Sequence, residues 1–232
     1  MRVSSIILAR GGSKGIPKKN LLNFCGKPLL AWTILQSLAS DKVSETWVSS
    51  DSQEILDIAY QYGANSIKRP DEISGDTVSS ESAWLHAIEF IENQQNTIPI
   101  DYVLAPQVTS PLRDANDFSR AINQIILEKS DTLLSVGEIE DFFIWTKNED
   151  KNPESVNYDY KNRKLRQQIE NKYLENGSFY IFSPQFLKAN NNRLGGQISL
   201  YEMDRYKIFQ IDNIEDVELT SLIMKGYGLD KI

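Results

Sequence analysis

The sequence has very little of the two residue types most often used as nucleophiles, general bases and zinc ligands. Its 232 residues include one cysteine, Cys25, and one histidine, His86. A single cysteine excludes an internal disulfide and is typical of a reducing compartment, so we expect a cytoplasmic protein. His86 lies within a predicted helix and Cys25 precedes a glycine in a predicted turn, so we interpret both as structural. The sequence therefore offers no candidate for a strong general base.

Long apolar runs and an excess of positive charge are also missing. No stretch of about 18 apolar residues is present, so we expect no membrane-spanning segment. The N-terminal MRVSSIILARGG reaches charge and glycine too soon for a secretory signal. The formal net charge of -7 argues against general nucleic-acid binding, which needs a broad basic face. With 41% hydrophobic residues, the chain is predicted to form one packed domain over residues 1–232.

Strand-like and helix-like segments alternate through the first half of the chain. The predicted strands are 3–9, 45–49, 102–106 and 132–136, and the predicted helices are 28–39, 52–62, 79–91 and 114–128. This order predicts an α/β, Rossmann-like fold: a mainly parallel sheet with helices on both faces. Such sheets bind ligands at the carboxyl ends of their strands, where several polar motifs of this sequence are expected to lie.

The pattern changes in residues 137–175, which are polar and show weak periodicity. We interpret this stretch as an inserted arm or small subdomain. After it, the sequence predicts a strand at 178–182, a short helix after Pro184, a strand at 206–211 and a final helix at 215–225.

The stretch ILARGGSKGIPKKN, from Ile7 to Asn20, gathers four cations on a glycine-rich turn. It matches neither a P-loop nor a dinucleotide-binding motif. Glycines allow backbone amides to approach a phosphate closely, and Arg10 could grip phosphate oxygens as a fork. A small polyanionic ligand is one interpretation, and a surface turn with solvated lysines is the other.

Six stretches together resemble a known family, the acylneuraminate cytidylyltransferases, also called CMP-sialic acid synthetases. They are ARGGSKGIPKKN (9–20), SSD (49–51), RPDEISGDTVSS (69–80), PQVTSPLR (106–113), RQQ (166–168) and NGSFYI (176–181). The resemblance covers nearly the whole chain. It implies transfer of CMP from CTP to the anomeric 2-hydroxyl of a nine-carbon 2-keto acid sugar, with release of pyrophosphate. The sugar would be N-acetylneuraminic acid or a legionaminic or pseudaminic relative.

The resemblance also implies the architecture and the partners. The fold would be of the nucleotide-diphospho-sugar transferase type, with 137–175 as a dimerisation arm, and the protein would be a homodimer that uses Mg²⁺ or another divalent cation. The arm and the GGQISLYEM segment (195–203) are expected to choose among acceptor sugars.

The matching positions imply roles for individual residues. The nucleotide-binding residues would be Ala9, Arg10, Gly11, Ser13, Lys14, Lys19, Asn20, Arg69 and Ser80. The sugar-binding residues would be Gln107, Ser110, Arg166 and Tyr180, with Arg166 reaching the neighbouring subunit's site. Arg10 and Lys19 would stabilise charge in catalysis, with Asp212 as a catalytic metal ligand, while Lys18 is expected to be solvated.

Structural alternatives stay open for some of these positions. Asp76, Ser79 and Ser80 could cap the helix that follows. Arg113 could assist the site, anchor its loop or pair with a nearby aspartate, and Tyr180 could be a core residue.

The sequence departs from the family pattern at the metal site and in one loop. Where the family often has Asp-Ile-Asp, this chain has Gln210-Ile211-Asp212, so Asp212, placed at a predicted strand end, is the candidate metal ligand. Pro106 and Val108 stand where the family commonly has leucine and proline, so we expect the loop path to differ slightly. The alternative functions are a Kdo-type cytidylyltransferase, a non-catalytic CTP or nucleotide sensor, and a structural domain whose cations lie on the surface and bind no ligand. The Kdo-type first loop lacks the double glycine and the Lys-Asn end.

Overall fold

We analysed a computed structural model, which describes residues 1–13, 15–94, 98–139 and 143–231. The strands are β1 (Val3–Leu8), β2 (Asn23–Phe24), β3 (Lys27–Pro28), β4 (Glu45–Ser50), β5 (Asn65–Lys68), β6 (Tyr102–Pro106), β7 (Thr132–Ile139), β8 (Trp145–Lys147), β9 (Pro153–Ser155), β10 (Lys172–Phe182) and β11 (Ile198–Met203). The α-helices are α1 (Leu29–Leu38), α2 (Gln53–Gln61), α3 (Ser80–Glu92), α4 (Ala115–Glu128), α5 (Pro184–Asn190) and α6 (Ile214–Gly226). None of the described helices is long and apolar enough to cross a membrane.

A seven-stranded sheet in the order β11-β7-β10-β6-β1-β4-β5 forms the centre of the protein. β1 pairs in parallel with both β4 and β6, β4 with β5, and β7 with β11. Only β10 runs antiparallel to its neighbours in this sheet, β6 and β7. The predicted mainly parallel α/β fold is confirmed.

Alternating side chains of the sheet build a core on each face. On one face, Ile7 and Val48 pack with apolar residues of α1, α2 and α6. On the same face, α4 packs against Leu104 and Phe179. Ile6 and neighbouring side chains pack on the other face against α3 and α5. Helices therefore cover both faces and leave the carboxyl ends of the strands open to a ligand.

Helix starts follow local sequence signals. Ser79 caps α3 by accepting a hydrogen bond from the Ser82 amide, and Asp114 caps α4 within a complete capping box. Cys25 and Gly26 form the turn between β2 and β3 with φ values of 48° and 86°. Two positive φ values are what a tight hairpin of this kind needs.

The prediction of a strand at 206–211 is wrong. A short 3-10 helix, Arg205–Lys207, overlaps the start of this stretch. The strand in this part of the chain is β11, whose alternation of exposed and buried residues the sequence analysis did not identify. Lys207 is buried and its ammonium bonds to Asp114 and Asp117 of the α4 terminus. This ion-pair cluster holds the segment against α4 without sheet pairing.

Strand pairing continues into both ends of the predicted arm. Ile139 of β7 pairs with Lys172 of β10, so residues near 137 and 175 belong to the central sheet. Between them, β8 and β9 form a separate two-stranded sheet. Trp145 packs edge-on against Tyr158 and at a tilt against Tyr160 beside this hairpin. The role of the arm in dimerisation stays a prediction.

Candidate active site

The loop after β1 is held to the ends of neighbouring elements by its backbone. The Gly11 amide donates to Asp51 Oδ1 at 2.9 Å, and Asn20 Nδ2 donates to the Arg10 carbonyl oxygen at 2.9 Å. A side chain at Gly15 would place its Cβ 2.4 Å from the Asp212 carbonyl oxygen. Glycine is therefore required there for the loop to approach the segment that carries Asp212.

A cleft of about 450 Å³ opens beside this loop at the carboxyl ends of β1 and β6. Its walls include eight of the predicted site residues: Arg10, Ser13, Lys19, Asn20, Arg69, Ser80, Gln107 and Asp212. Ala9 is buried behind the loop, and Gly11 lies against Asp51 and Ser52. The prediction for Lys14 falls outside the described residues. The structure thus brings together groups that lie up to about two hundred residues apart.

Two arginines, Arg10 and Arg69, and the aspartate Asp76 line the cleft. Arg10 Nη1 forms an ion pair with Asp76, which links the first loop to the loop before α3. Arg69 is only 5% exposed and its Nε donates to Ser74 Oγ at 3.2 Å. Burial lowers the pKa of Arg69, and the charge of Arg10 adds to this effect while Asp51 opposes it. An incoming anion would relieve the repulsion between these two cations.

Lys19 and Lys18 point to different surroundings. Lys19 Nζ donates to the Ile211 carbonyl oxygen at 2.9 Å and to Asp212 Oδ1 at 3.2 Å. Lys18 Nζ bonds to Glu54 at 2.7 Å on the exposed surface. The structure therefore places Lys19 in the cleft and Lys18 on the surface.

The segment that carries Gln210 and Asp212 is not a strand, so the prediction that Asp212 lies at a strand end is wrong. It is held instead by hydrogen bonds to three distant parts of the chain. The Ile211 amide donates to the Thr109 carbonyl oxygen at 2.7 Å, and Gln210 Nε2 donates to the Asn176 carbonyl oxygen at 2.7 Å. With the Lys19 bond, these contacts place Asp212 on the cleft wall.

Asp212 is the described carboxylate best placed to hold a metal ion. Its side chain is 71% exposed at the cleft. No group of three or more potential His, Cys, Asp or Glu ligands exists in the described part of the chain. Mg²⁺ commonly binds through one or two carboxylates together with substrate phosphates and waters, so this donor set fits such an ion.

The sequence left helix capping and ligand contact open for Ser79 and Ser80, and the structure places the two serines differently. Ser79 Oγ accepts the helix-capping bond, whereas Ser80 is exposed and lines the cleft. Helix capping therefore leaves Ser80 available to a ligand.

A second cavity, of about 460 Å³, adjoins the first. The two share Ser80, Gln107 and Thr109. The other lining residues of the second cavity are Trp84, Glu175, Gly177, Tyr180, Arg193 and Gln210. A molecule in the second cavity would therefore lie next to one in the cleft.

The predicted sugar-binding residues have different surroundings. Gln107 lies between the cavities, and Tyr180 lines the second one with its hydroxyl donating to Glu175 at 2.5 Å. Burial, with help from Glu175, raises the pKa of Tyr180. Ser110 is 1% exposed and its hydroxyl bonds to the Gly177 carbonyl oxygen, so direct sugar contact by Ser110 is not supported. The side chain of Arg166 lies outside what the structure describes.

Arg113 is an anchor of the loop. It is fully buried, and its guanidinium donates to the carbonyl oxygens of Gln107, Ser110 and Ser178 and to Thr33 Oγ1. Its bonds to Gln107 and Ser110 fix the path of the loop that separates the two cavities. Of the alternatives for Arg113, loop anchoring is the one the geometry supports.

Glu175 and Arg193 are cavity residues that the sequence analysis missed. Arg193 follows α5 in a polar loop, and nothing in its local sequence marks it. The predicted contribution of residues 195–203 is not supported, because none of them lines either cavity and 198–203 form β11 at the sheet edge.

The sheet and its paired cavities define a nucleotidyltransferase-type α/β protein. A family model described as cytidylyltransferase matches residues 4–227, and the chain belongs to this family. The resemblance that the motifs indicated is therefore confirmed.

Named relatives support the same assignment. The chain is 37% identical to N-acylneuraminate cytidylyltransferase B of Danio rerio over 86% of its own length and 46% of the relative's, so it spans about half of that protein. It is 31% identical to pseudaminic acid cytidylyltransferase of Campylobacter jejuni subsp. jejuni over 97% of both chains. Among solved structures, a CMP:2-keto-3-deoxy-manno-octonic acid synthetase complexed with CTP matches with a TM-score of 0.72 and 14% identity, covering 98% of this chain and all of that one. At this identity the last match shows the fold alone.

Proposed function

We propose that this protein transfers CMP from CTP to the anomeric hydroxyl of a nine-carbon 2-keto acid sugar and releases pyrophosphate. The observation that carries the proposal is the pair of adjoining cavities, one lined by the cations Arg10, Lys19 and Arg69 and the other by polar and aromatic groups with one cation, Arg193, and one carboxylate, Glu175. CTP would occupy the first cavity and the sugar the second. The shared wall at Ser80, Gln107 and Thr109 is where the hydroxyl would meet the α-phosphorus.

Positioning and electrostatics would supply most of the catalysis. The attacking hydroxyl must approach an anionic phosphate, and Arg10 and Lys19 are already placed to offset its charge. Arg69 and Ser80 would contact the cytidine part of CTP. Mg²⁺ would be held by Asp212 and phosphate oxygens, and when bound it supplies further neutralisation of the triphosphate. The lone histidine, His86, lies within α3 and lines neither cavity, so it takes no part in this scheme.

A nonulosonic acid is favoured over the eight-carbon sugar Kdo as the acceptor. The relatives named for acylneuraminate and pseudaminic acid are 31–37% identical to this chain, whereas the octonic acid synthetase shares 14%. The first loop also carries the double glycine and the Lys-Asn end. Homodimer formation and the reach of Arg166 into a neighbouring site belong to the same proposal and rest on the family resemblance. A cytoplasmic location belongs to it too and rests on the single cysteine.

The test is pyrophosphate release from CTP and Mg²⁺ with a panel of acceptors. The panel comprises N-acetylneuraminic, legionaminic and pseudaminic acids, with Kdo as the comparison. Release with at least one nonulosonic acid at a higher kcat/KM than with Kdo supports the proposal. CTP binding without release for any sugar would instead favour a nucleotide sensor.

A further inference from the structure

Arg193 occupies an unusual position in the second cavity. Its guanidinium carbon lies 4.4 Å from the ring centroid of Tyr180 and 5.7 Å from that of Trp84. Arg193 comes from the loop between α5 and β11, whereas Trp84 lies in α3 and Tyr180 in β10. Such cation–aromatic stacking holds a guanidinium in one orientation at little entropic cost. Arg193 is therefore a pre-positioned group on the cavity wall.

The guanidinium has hydrogen-bonding capacity left. Its Nη1 bonds to Glu81 Oε1 at 2.7 Å, but its buried Nε has no hydrogen-bond partner among the described residues. The side chain is 29% exposed and lines the cavity. Nε is buried out of reach of a ligand, but a guanidinium has five N–H donors, and those on its exposed side are open to a ligand in the cavity.

The surrounding charge limits what Arg193 can recognise. Glu81 already neutralises the guanidinium, and Glu175 places a second carboxylate on the same cavity, bonded to Tyr180. A further anion at this point would face both carboxylates. A neutral oxygen would not, and the rings of Trp84 and Tyr180 offer an apolar surface beside it.

From these contacts we propose that Arg193 is a specificity-determining residue of the acceptor cavity. Its guanidinium donates to the carbonyl oxygen of a neutral acylamido substituent of the acceptor sugar, whose alkyl part packs on Trp84 and Tyr180. This inference rests on the proposed function, because it takes the second cavity as the sugar site. It adds a named side chain and the substituent that this side chain selects.

The experiment uses the full chain with CTP and pairs of nonulosonic acids that differ in one acylamido group, present in one sugar and replaced by hydroxyl or free amine in the other. The variants are Arg193→Met, which keeps the length of the side chain, and Arg193→Lys, which keeps the charge but loses the fork. Lys188→Met is the matched control, since Lys188 of α5 pairs with Glu92 of α3 at 2.9 Å and lines neither cavity. KM, kcat and Tm are measured for each.

We expect Arg193→Met to raise the KM for the acylated sugar about tenfold or more and to reduce the preference for it. The KM for CTP should stay unchanged, Arg193→Lys should be intermediate, and Lys188→Met should match the unmodified protein. Glu81→Gln separates packing from recognition, because it breaks the ion pair but keeps the guanidinium. We expect Glu81→Gln to lower Tm while retaining most of the preference.

Three results would overturn the inference. They are an unchanged acceptor KM in Arg193→Met, an equal loss for acylated and unacylated sugars, and a loss of preference in Glu81→Gln equal to that in Arg193→Met. The second would assign Arg193 to the sugar carboxylate, and the third would make it structural. An unmodified protein that releases no pyrophosphate with any sugar overturns the proposed function itself.

Discussion

Lys19 Nζ lies 3.2 Å from Asp212 Oδ1, although 193 positions separate the two residues in the chain. The first belongs to the loop after β1 and the second to the segment before α6. Lys19 also bonds to the Ile211 carbonyl oxygen, so the cation and the candidate metal ligand are held as a unit. A triphosphate in the cleft would meet both at once.

The two adjacent lysines provide a matched test of this relationship. Lys19→Met should reduce kcat about 10²-fold or more, because it removes a cation aimed at the charge that develops in the transition state. Lys18→Met removes the same charge from the surface, where Lys18 bonds to exposed Glu54, and should leave kcat within about twofold. Steady-state kinetics with saturating CTP measures both. Similar activity in the two variants would remove Lys19 from the catalytic account.

Asp212 should set the requirement for metal. We expect Asp212→Asn to raise the Mg²⁺ concentration that gives half-maximal rate about tenfold or more, because it removes the one carboxylate at the proposed metal position. Glu215→Gln, an exposed acid in the first turn of α6, removes the same charge nearby and serves as the control. A Mg²⁺ titration of the initial rate reports the shift. Superimposable titrations for Asp212→Asn and the control would place the metal on other groups.

Lys207 should matter for stability rather than for chemistry. Its ammonium is 1% exposed and bonds to Asp117 Oδ2 at 2.9 Å. Burial alone would lower the pKa of Lys207, but Asp117 and Asp114 raise it above its ordinary value. Lys207→Met leaves these carboxylates without their cation and should cost about 3–5 kcal/mol of unfolding free energy.

Chemical denaturation with a nearby exposed control measures this cost. Arg205→Met, two positions earlier, should change the unfolding free energy by about 0.5 kcal/mol or less. If Lys207→Met were as stable as Arg205→Met, the ion-pair cluster would not be what holds the 204–212 segment.

Asp216 gives a pH-dependent prediction. Its carboxylate accepts the amides of Asp212 and Asn213, and these two bonds hold the pKa of Asp216 below its ordinary value. A lowered pKa in the folded state contributes stability above the unfolded value of about 3.9, and this contribution is lost as the pH falls. The Tm of the unmodified protein should therefore fall more steeply between pH 5 and 3 than that of Asp216→Asn. Parallel Tm curves for the two proteins would contradict this linkage.

Much of the cleft could be predicted because its residues lie in short contiguous motifs. Arg10, Lys19 and Asn20 are neighbours in one loop, so a strand followed by glycines places them at one end of the sheet. Ser80 and Gln107 likewise lie at the start of a helix and the end of a strand, both of which have clear local signals.

The residues that escaped prediction depend on contacts between distant parts of the chain. The position of Arg193 is fixed by its contacts with Glu81 and Tyr180, and no short-range sequence pattern predicts such contacts. The strand predicted at 206–211 failed for the same reason, because Lys207 finds its partners about ninety positions earlier. An ion-pair cluster outweighs a weak strand propensity here.

The most direct test of the central claim is ³¹P NMR of CTP and Mg²⁺ with the protein, with and without a nonulosonic acid. The account predicts that the triphosphate signals decline only when the sugar is present. Each CTP molecule consumed should give one pyrophosphate and one CMP-linked sugar, and the CMP-linked sugar should show a single phosphodiester signal. Triphosphate that stays intact with every nonulosonic acid, or that is lost at the same rate without sugar, would contradict it.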